Sequence, residues 1–175
     1  CHNINNAFSP IGPKARYLNR DYDYKEGTQN ILSKLSSDGV LTGLPAIDAI
    51  PAGVVWDDPS TGTLDDRART YLDINCGHCH RPEGPANHSG LFLYKLESDP
   101  YRLGYCKTPV AAGNGSGGLD FDIVPGNADK SILHYRMNSV DPGVMMPELG
   151  RSVNHDEGIQ IIKDWINSQE PGDCN

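Results

Sequence analysis

The sequence predicts a mostly α fold, with a few helices joined by long loops and an irregular N-terminal extension. Two apolar stripes carry that prediction. Leu64, Ala68, Tyr71 and Leu72 recur at helical spacing just before Cys76, and Ile159, Ile162 and Ile166 do so near the C-terminus. The third observation is composition. The chain of 175 residues holds 19 Gly and 13 Pro, so much of it should be loop. Hydrophobic residues make up 37 %, below the ~45 % usual for a globular domain. The length suits one domain or one and a half, enough for a real core. The expected division falls at residue 60: an irregular extension over 1–60 and a domain over 61–175.

Within the extension, turn signals crowd together: Ser9-Pro10, Gly12-Pro13, Gly39, Gly43, Pro45, Pro51, Gly53 and Pro59. One helix is expected over 27–35, where Ile31, Leu32 and Leu35 share a face. Thr63 and Asp66 resemble a capping box opening the helix that runs into Cys76. A further helix is expected over 129–137, introduced by the turn Pro125-Gly126-Asn127. The last helix starts near Asn154, with Asp156 and Glu157 in the first turn, where the helix dipole favours acids. Ile161 and Trp165 broaden its stripe, and Pro171 and Gly172 end it. Residues 113–118, Gly-Asn-Gly-Ser-Gly-Gly, lack the Gly-Lys-Ser/Thr ending of a phosphate loop and read as a flexible surface loop.

Cys76-Gly77-His78-Cys79-His80 is a C-x-x-C-H pentapeptide at a helix end. Its spacing suits covalent attachment of haem. Two thiols three positions apart add to the vinyl groups of one porphyrin, and the next residue, His80, becomes the proximal iron ligand. A porphyrin is a large apolar body, which fits the low apolar content. A zinc site would need a second ligand pair of similar spacing, and a thioredoxin-like dithiol would need a βαβ context; the sequence offers neither. The sixth iron ligand is assigned to Met146. Met146-Pro147 lies in a loop, where proline stops a helix and presents the sulfur from extended backbone. Met145, Met137 and His134 are the alternatives. Met137 also fits the core of its helix, and His134 also fits as a packing or surface residue. His78 should point away from the iron, while His88 and His155 read as loop and helix-cap residues. Calcium binding through Asp120, Asp122 and Asp129 has the wrong spacing for a 12-residue loop.

With Cys76 and Cys79 given to haem, Cys1, Cys106 and Cys174 remain. A disulfide from Cys106 to Cys174 is the favoured use, against two unpaired thiols. Covalent haem and a disulfide both point to a periplasmic or extracellular location. Cys1-His2 reads in three ways: the last two residues of another C-x-x-C-H, a lipidated cysteine that would anchor the chain to a membrane, or a disulfide partner. A second haem there would need a distal ligand from elsewhere, because residues 3–64 contain no His or Met. The first residue is not Met, so a processed or truncated product is expected, and no signal peptide is visible. The net charge of −8 argues against nucleic acid and anionic membranes as partners. No apolar run is long enough for a transmembrane helix.

The stretch Arg67-Ala68-Arg69-Thr70-Tyr71-Leu72-Asp73-Ile74-Asn75 with the pentapeptide and Arg81-Pro82 resembles bacterial class I c-type cytochromes. So do Asp122-Ile123-Val124-Pro125-Gly126-Asn127, Ser131-Ile132-Leu133-His134-Tyr135-Arg136-Met137 and Met146-Pro147-Glu148-Leu149-Gly150-Arg151. More narrowly, the chain is similar to secreted dihaem cytochromes in which a segment like Pro10-Ile11-Gly12-Pro13-Lys14-Ala15-Arg16-Tyr17-Leu18-Asn19-Arg20 follows a first C-x-x-C-H. The resemblance implies a class I cytochrome c-like helical haem domain, one haem c on Cys76 and Cys79 with His80 and Met146 as ligands, and a Cys106–Cys174 bridge. It also implies that Cys1-His2 is the remnant of a first haem site and that this chain is the C-terminal part of something longer. The expected function is one-electron transfer with a redox partner protein rather than enzymatic catalysis. The alternative is a haem enzyme, or a haem relay within a larger oxidoreductase, with peroxidase-like chemistry at a weakly ligated or second haem.

Overall fold

The fold was obtained as a computed structural model, which describes residues 3–4, 7–8 and 11–174. It overturns the mostly α expectation and, with it, the class I-like helical haem domain. The chain is 33 % helix and 8 % strand, a small mixed fold of five helices and long loops. The physical reason is local. Helical apolar periodicity is sustained at only two places, and short isolated helices are marginal without it.

The N-terminal part pairs as hairpins. Strands β1 (Asn3–Ile4) and β2 (Ala7–Phe8) form one antiparallel pair. After α1 (Ala15–Leu18), strands β3 (Asp21–Tyr24) and β4 (Gly27–Asn30) form the second, with Tyr24 opposite Gly27 and Asp21 opposite Asn30. The helix expected over 27–35 is therefore shortened from its start. Gly27 has φ +124°, which suits a tight turn and not a helix. The Asn30 side chain accepts from the Leu32 and Ser33 amides and caps α2 (Ile31–Ser37). Leu32 and Ile50 are buried here, apart from the principal core cluster.

The second part contains the principal core. Helix α3 (Leu64–Asn75) opens as expected, with the Thr63 hydroxyl accepting from the Asp66 amide at 3.1 Å. Helix α5 (Asp156–Asn167) buries Ile159, Ile161, Ile162, Trp165 and Ile166 against Ala68, Tyr71 and Leu72 of α3. The Trp165 indole N–H donates to Asp65 at 2.7 Å, which satisfies the one polar atom of the largest buried side chain. Between these helices, a 3-10 turn over Ala128–Lys130 precedes α4 (Ile132–Met137). The helix expected over 129–137 thus breaks at Ser131, whose hydroxyl bonds the Asn127 carbonyl at 2.8 Å and accepts from the Val124 amide. Met137 is buried in the core, as its helical spacing suggested.

Cys106 and Cys174 form a disulfide closing a separation of 68 residues, and it ties the C-terminal tail to the middle loops. Nearby, Lys107 and Asp122 form a buried ion pair at 3.1 Å. Asp122 is thus committed to Lys107, and Asp129 lies 3.1 Å from Lys163, so the calcium grouping of Asp120, Asp122 and Asp129 is not assembled. Residues 113–118 lie at the surface as expected, with Gly113, Asn114, Gly117 and Gly118 exposed, but part of the segment is ordered as a turn. Gly113–Ser116 is a 3-10 turn whose buried Gly115 lies flat on the Arg136 guanidinium, where a Cβ would stand 3.1 Å from Cζ.

Candidate functional site: the pentapeptide turn

The pentapeptide continues α3 as a tight turn. Cys76 donates to the Leu72 carbonyl at 2.8 Å, Cys79 to Cys76 at 3.1 Å and His80 to Cys76 at 2.9 Å. Cys76 and Cys79, both half-buried, are thiols and are not joined to each other. Burial pushes the Cys76 thiol up to about 12, with Cys79 adding to the effect. Burial also raises Cys79, and the Glu148 carboxylate contributes in the same direction.

Two glycines let the turn close. A Cβ on Gly77 would stand 3.0 Å from the Tyr94 Cα and 3.1 Å from the Asp73 carbonyl oxygen. A Cβ on Gly84 would collide with the Cys79 carbonyl. Backbone walls cannot yield to a side chain, so both positions call for glycine.

His80 is buried and held at both ends. Its carbonyl accepts from the Leu93 amide at 2.8 Å, and its Nδ1 lies 3.1 Å from the Leu91 carbonyl oxygen. A carbonyl can only accept, so Nδ1 carries the proton and donates, and Nε2 keeps its lone pair. Burial lowers the His80 pKa, and the Arg136 charge adds to this. The result is a neutral imidazole with one basic nitrogen and a backbone-fixed ring, the state that a metal-ligating histidine requires.

The Met146 loop is held as firmly. Met146 N–H donates to the Arg136 carbonyl at 3.1 Å, and its own carbonyl accepts from Arg151 at 3.0 Å. Arg136 also donates through Nε to the Val144 carbonyl at 2.8 Å and lies 3.9 Å from Glu148. The Glu148 carboxylate contributes to the upward shift of Cys79 and the Arg136 charge to the downward shift of His80. Met146 is half-buried and Met145 is buried. His78 is half-buried, with no hydrogen-bond partner for its Nδ1 among the described residues. His134 is buried beside Asp129, in keeping with its packing reading. His88 lies in a 3-10 turn. His155 stands at the α5 N-cap position but does not cap; its Nδ1 lies 2.9 Å from the Tyr71 hydroxyl. Cys1 and His2 lie outside the described residues.

Sequence reasoning missed Asp73. Its side chain is wholly buried on α3, three positions before Cys76. It accepts from Lys14 at 2.6 Å, Arg16 at 2.8 Å, Tyr17 at 2.5 Å and the Lys95 amide at 2.9 Å. Burial alone would raise this carboxyl; the bonds from Lys14, Tyr17, Arg16 and Lys95 overcome it and hold the group at about 2. The N-terminal part is thereby pinned to the helix that ends in the pentapeptide. The one local signal was an acid beside the apolar stripe of an amphipathic helix. Leu91, Arg136 and Arg151 were also missed as supporting groups.

The residues fit a covalent c-type haem: two free thiols on one turn and, directly after them, an imidazole whose Nδ1 is committed to the Leu91 carbonyl and whose Nε2 keeps its lone pair. Among the described residues, no three His, Cys, Asp or Glu side chains gather as a metal-binding cluster. No family model, curated protein or solved structure matches this chain.

Proposed function

We propose that this chain is an electron carrier with one covalent haem on Cys76 and Cys79 and with His80 and Met146 as axial ligands. The observation that carries the reading is the Nδ1–H bond of His80 to Leu91, which leaves Nε2 basic immediately after the two thiols. The resemblance of the pentapeptide and Met-Pro stretches to c-type cytochromes supports the same reading. When bound, haem supplies reversible one-electron chemistry at iron.

The chain's own residues do the rest. Leu91 holds the imidazole tautomer, and the Gly77 and Gly84 turn sets the spacing of the thiols. Arginines 136 and 151 hold the loop that offers the Met146 sulfur. With His80 and Met146 both holding the iron, no position would remain for a substrate, which favours transfer to a redox partner protein over catalysis. The Cys106–Cys174 disulfide supports a periplasmic or extracellular setting.

The test is the intact mass of the denatured chain purified from cells that attach haem covalently. One haem is expected from the described residues, and two haems would add a working site at Cys1-His2. No added haem would discard the proposal.

A further inference from the structure

We propose that Arg151 is the positioning residue that holds Met146 on the haem iron; this rests on the electron-carrier reading above. The Arg151 guanidinium is directed at three oxygens from three segments. One amino group donates to the Met146 carbonyl at 3.0 Å. The other donates to the Ser139 carbonyl, just past the end of α4, and to the Asn154 side chain at 3.2 Å, just before α5. Met146 is therefore tied by its carbonyl to the ends of two helices that belong to the core. Its amide is tied to α4 a second time through the Arg136 carbonyl at 3.1 Å.

The surroundings make this a clamp and not a surface contact. Arg151 is half-buried, and its Nε is shut off from solvent with no partner among the described residues. Among those residues it forms no ion pair, while Arg136 lies 3.9 Å from Glu148. By contrast, Pro147, Glu148, Leu149 and Gly150, which follow Met146, are all exposed. They bury too little to hold the loop themselves, so the work falls to the residue at the loop's far end.

A planar fork suits this task. Guanidinium presents several N–H groups in fixed directions and reaches separate carbonyls at once, whereas an ammonium is a point charge. Without the fork the Met146 loop keeps its amide bond to Arg136 but loses its tie to Ser139 and Asn154. The sulfur then leaves its position for a larger fraction of the time, and a sixth iron ligand that leaves more often is displaced more easily by an external one.

The test uses the purified haem-loaded chain, with carbon monoxide titrated into the reduced protein. Wild type, Arg151→Gln, Arg151→Lys and Met146→Ala are compared, each checked by intact mass for covalent haem and by near-UV circular dichroism for the Trp165 core. We expect Arg151→Gln and Arg151→Lys both to bind carbon monoxide about tenfold more tightly than wild type, the equivalent of about 1.4 kcal/mol, with haem and core signals retained. The midpoint potential should fall in the same two variants, because sulfur ligation favours ferrous iron. Wild-type affinity and potential in Arg151→Lys, which keeps charge and bulk, would overturn the proposal even if Arg151→Gln failed to fold. Wild-type affinity in both Arg151 variants while Met146→Ala binds tightly would overturn this proposal alone. Unchanged affinity in Met146→Ala would overturn the ligand assignment and this inference with it.

Discussion

Replacing Asp73 by Asn keeps the side chain's shape and removes its charge. The effect follows from the structure. In the folded chain the carboxyl is held at about 2, against an ordinary value of 3.8. A depressed carboxyl pKa means that the folded state binds its proton less readily than the unfolded state. The stabilisation is therefore complete above about pH 4 and is lost as pH falls from about 4 to about 2; its size is about 2 kcal/mol, since each pKa unit is worth about 1.4 kcal/mol. The Asn amide also turns a donor toward a site already filled by four donors, so this figure is a lower bound. In a chain of this length, about 2 kcal/mol corresponds to about 4–8 °C in Tm. The assay is urea unfolding of wild type and Asp73→Asn, followed by circular dichroism from about pH 7 down to about pH 2.5. The wild type should be more stable near neutrality, and the two curves should converge at the acid end. Equal stability at neutral pH, or a gap unchanged across the acid range, would refute the reasoning. Trypsin should cut the N-terminal part of the variant faster, because Lys14 and Arg16 lose the acid that they share.

Other expectations can be checked alongside. Cys106→Ser opens a closure of 68 residues and should cost about 4 kcal/mol in the chain-entropy picture; denaturation with and without reductant measures it, and reductant should leave the variant unaffected. Gly77→Ala forces a Cβ to within 3.0 Å of the Tyr94 Cα; a destabilisation of about 1–3 kcal/mol and reduced covalent haem by intact mass are expected. Lys107→Met strands the Asp122 carboxylate, whose partner is almost wholly buried, and should cost about 3–5 kcal/mol near neutrality, read from the urea midpoint. Met146→Ala should lower the midpoint potential and open the reduced iron to carbon monoxide.

By itself the sequence determined the features that depend on near neighbours. The α3 stripe and its Thr63 cap, the five buried apolar side chains of α5 and the continuous C-x-x-C-H are all legible within a few turns of chain, because helical periodicity and motif spacing are local quantities. Cysteine counting also reached the Cys106–Cys174 pair, since assigning Cys76 and Cys79 to the C-x-x-C-H motif left few other partners. The tertiary structure decided what distant segments do to one another. It made the N-terminal part a set of hairpins and so corrected the mostly α reading; Gly27 and Asn30 turned the chain where apolar spacing alone suggested a helix. It folded the glycine-rich turn onto Arg136, where a missing Cβ permits close approach. It brought Lys14, Arg16 and Tyr17 onto Asp73 across more than fifty residues, and it set the Leu91 carbonyl against His80 and Arg151 against Met146. Such partners leave no periodic trace. A buried hydrogen bond is chosen by the path of the whole chain, because each polar group enclosed by folding must find a partner wherever the packing places it.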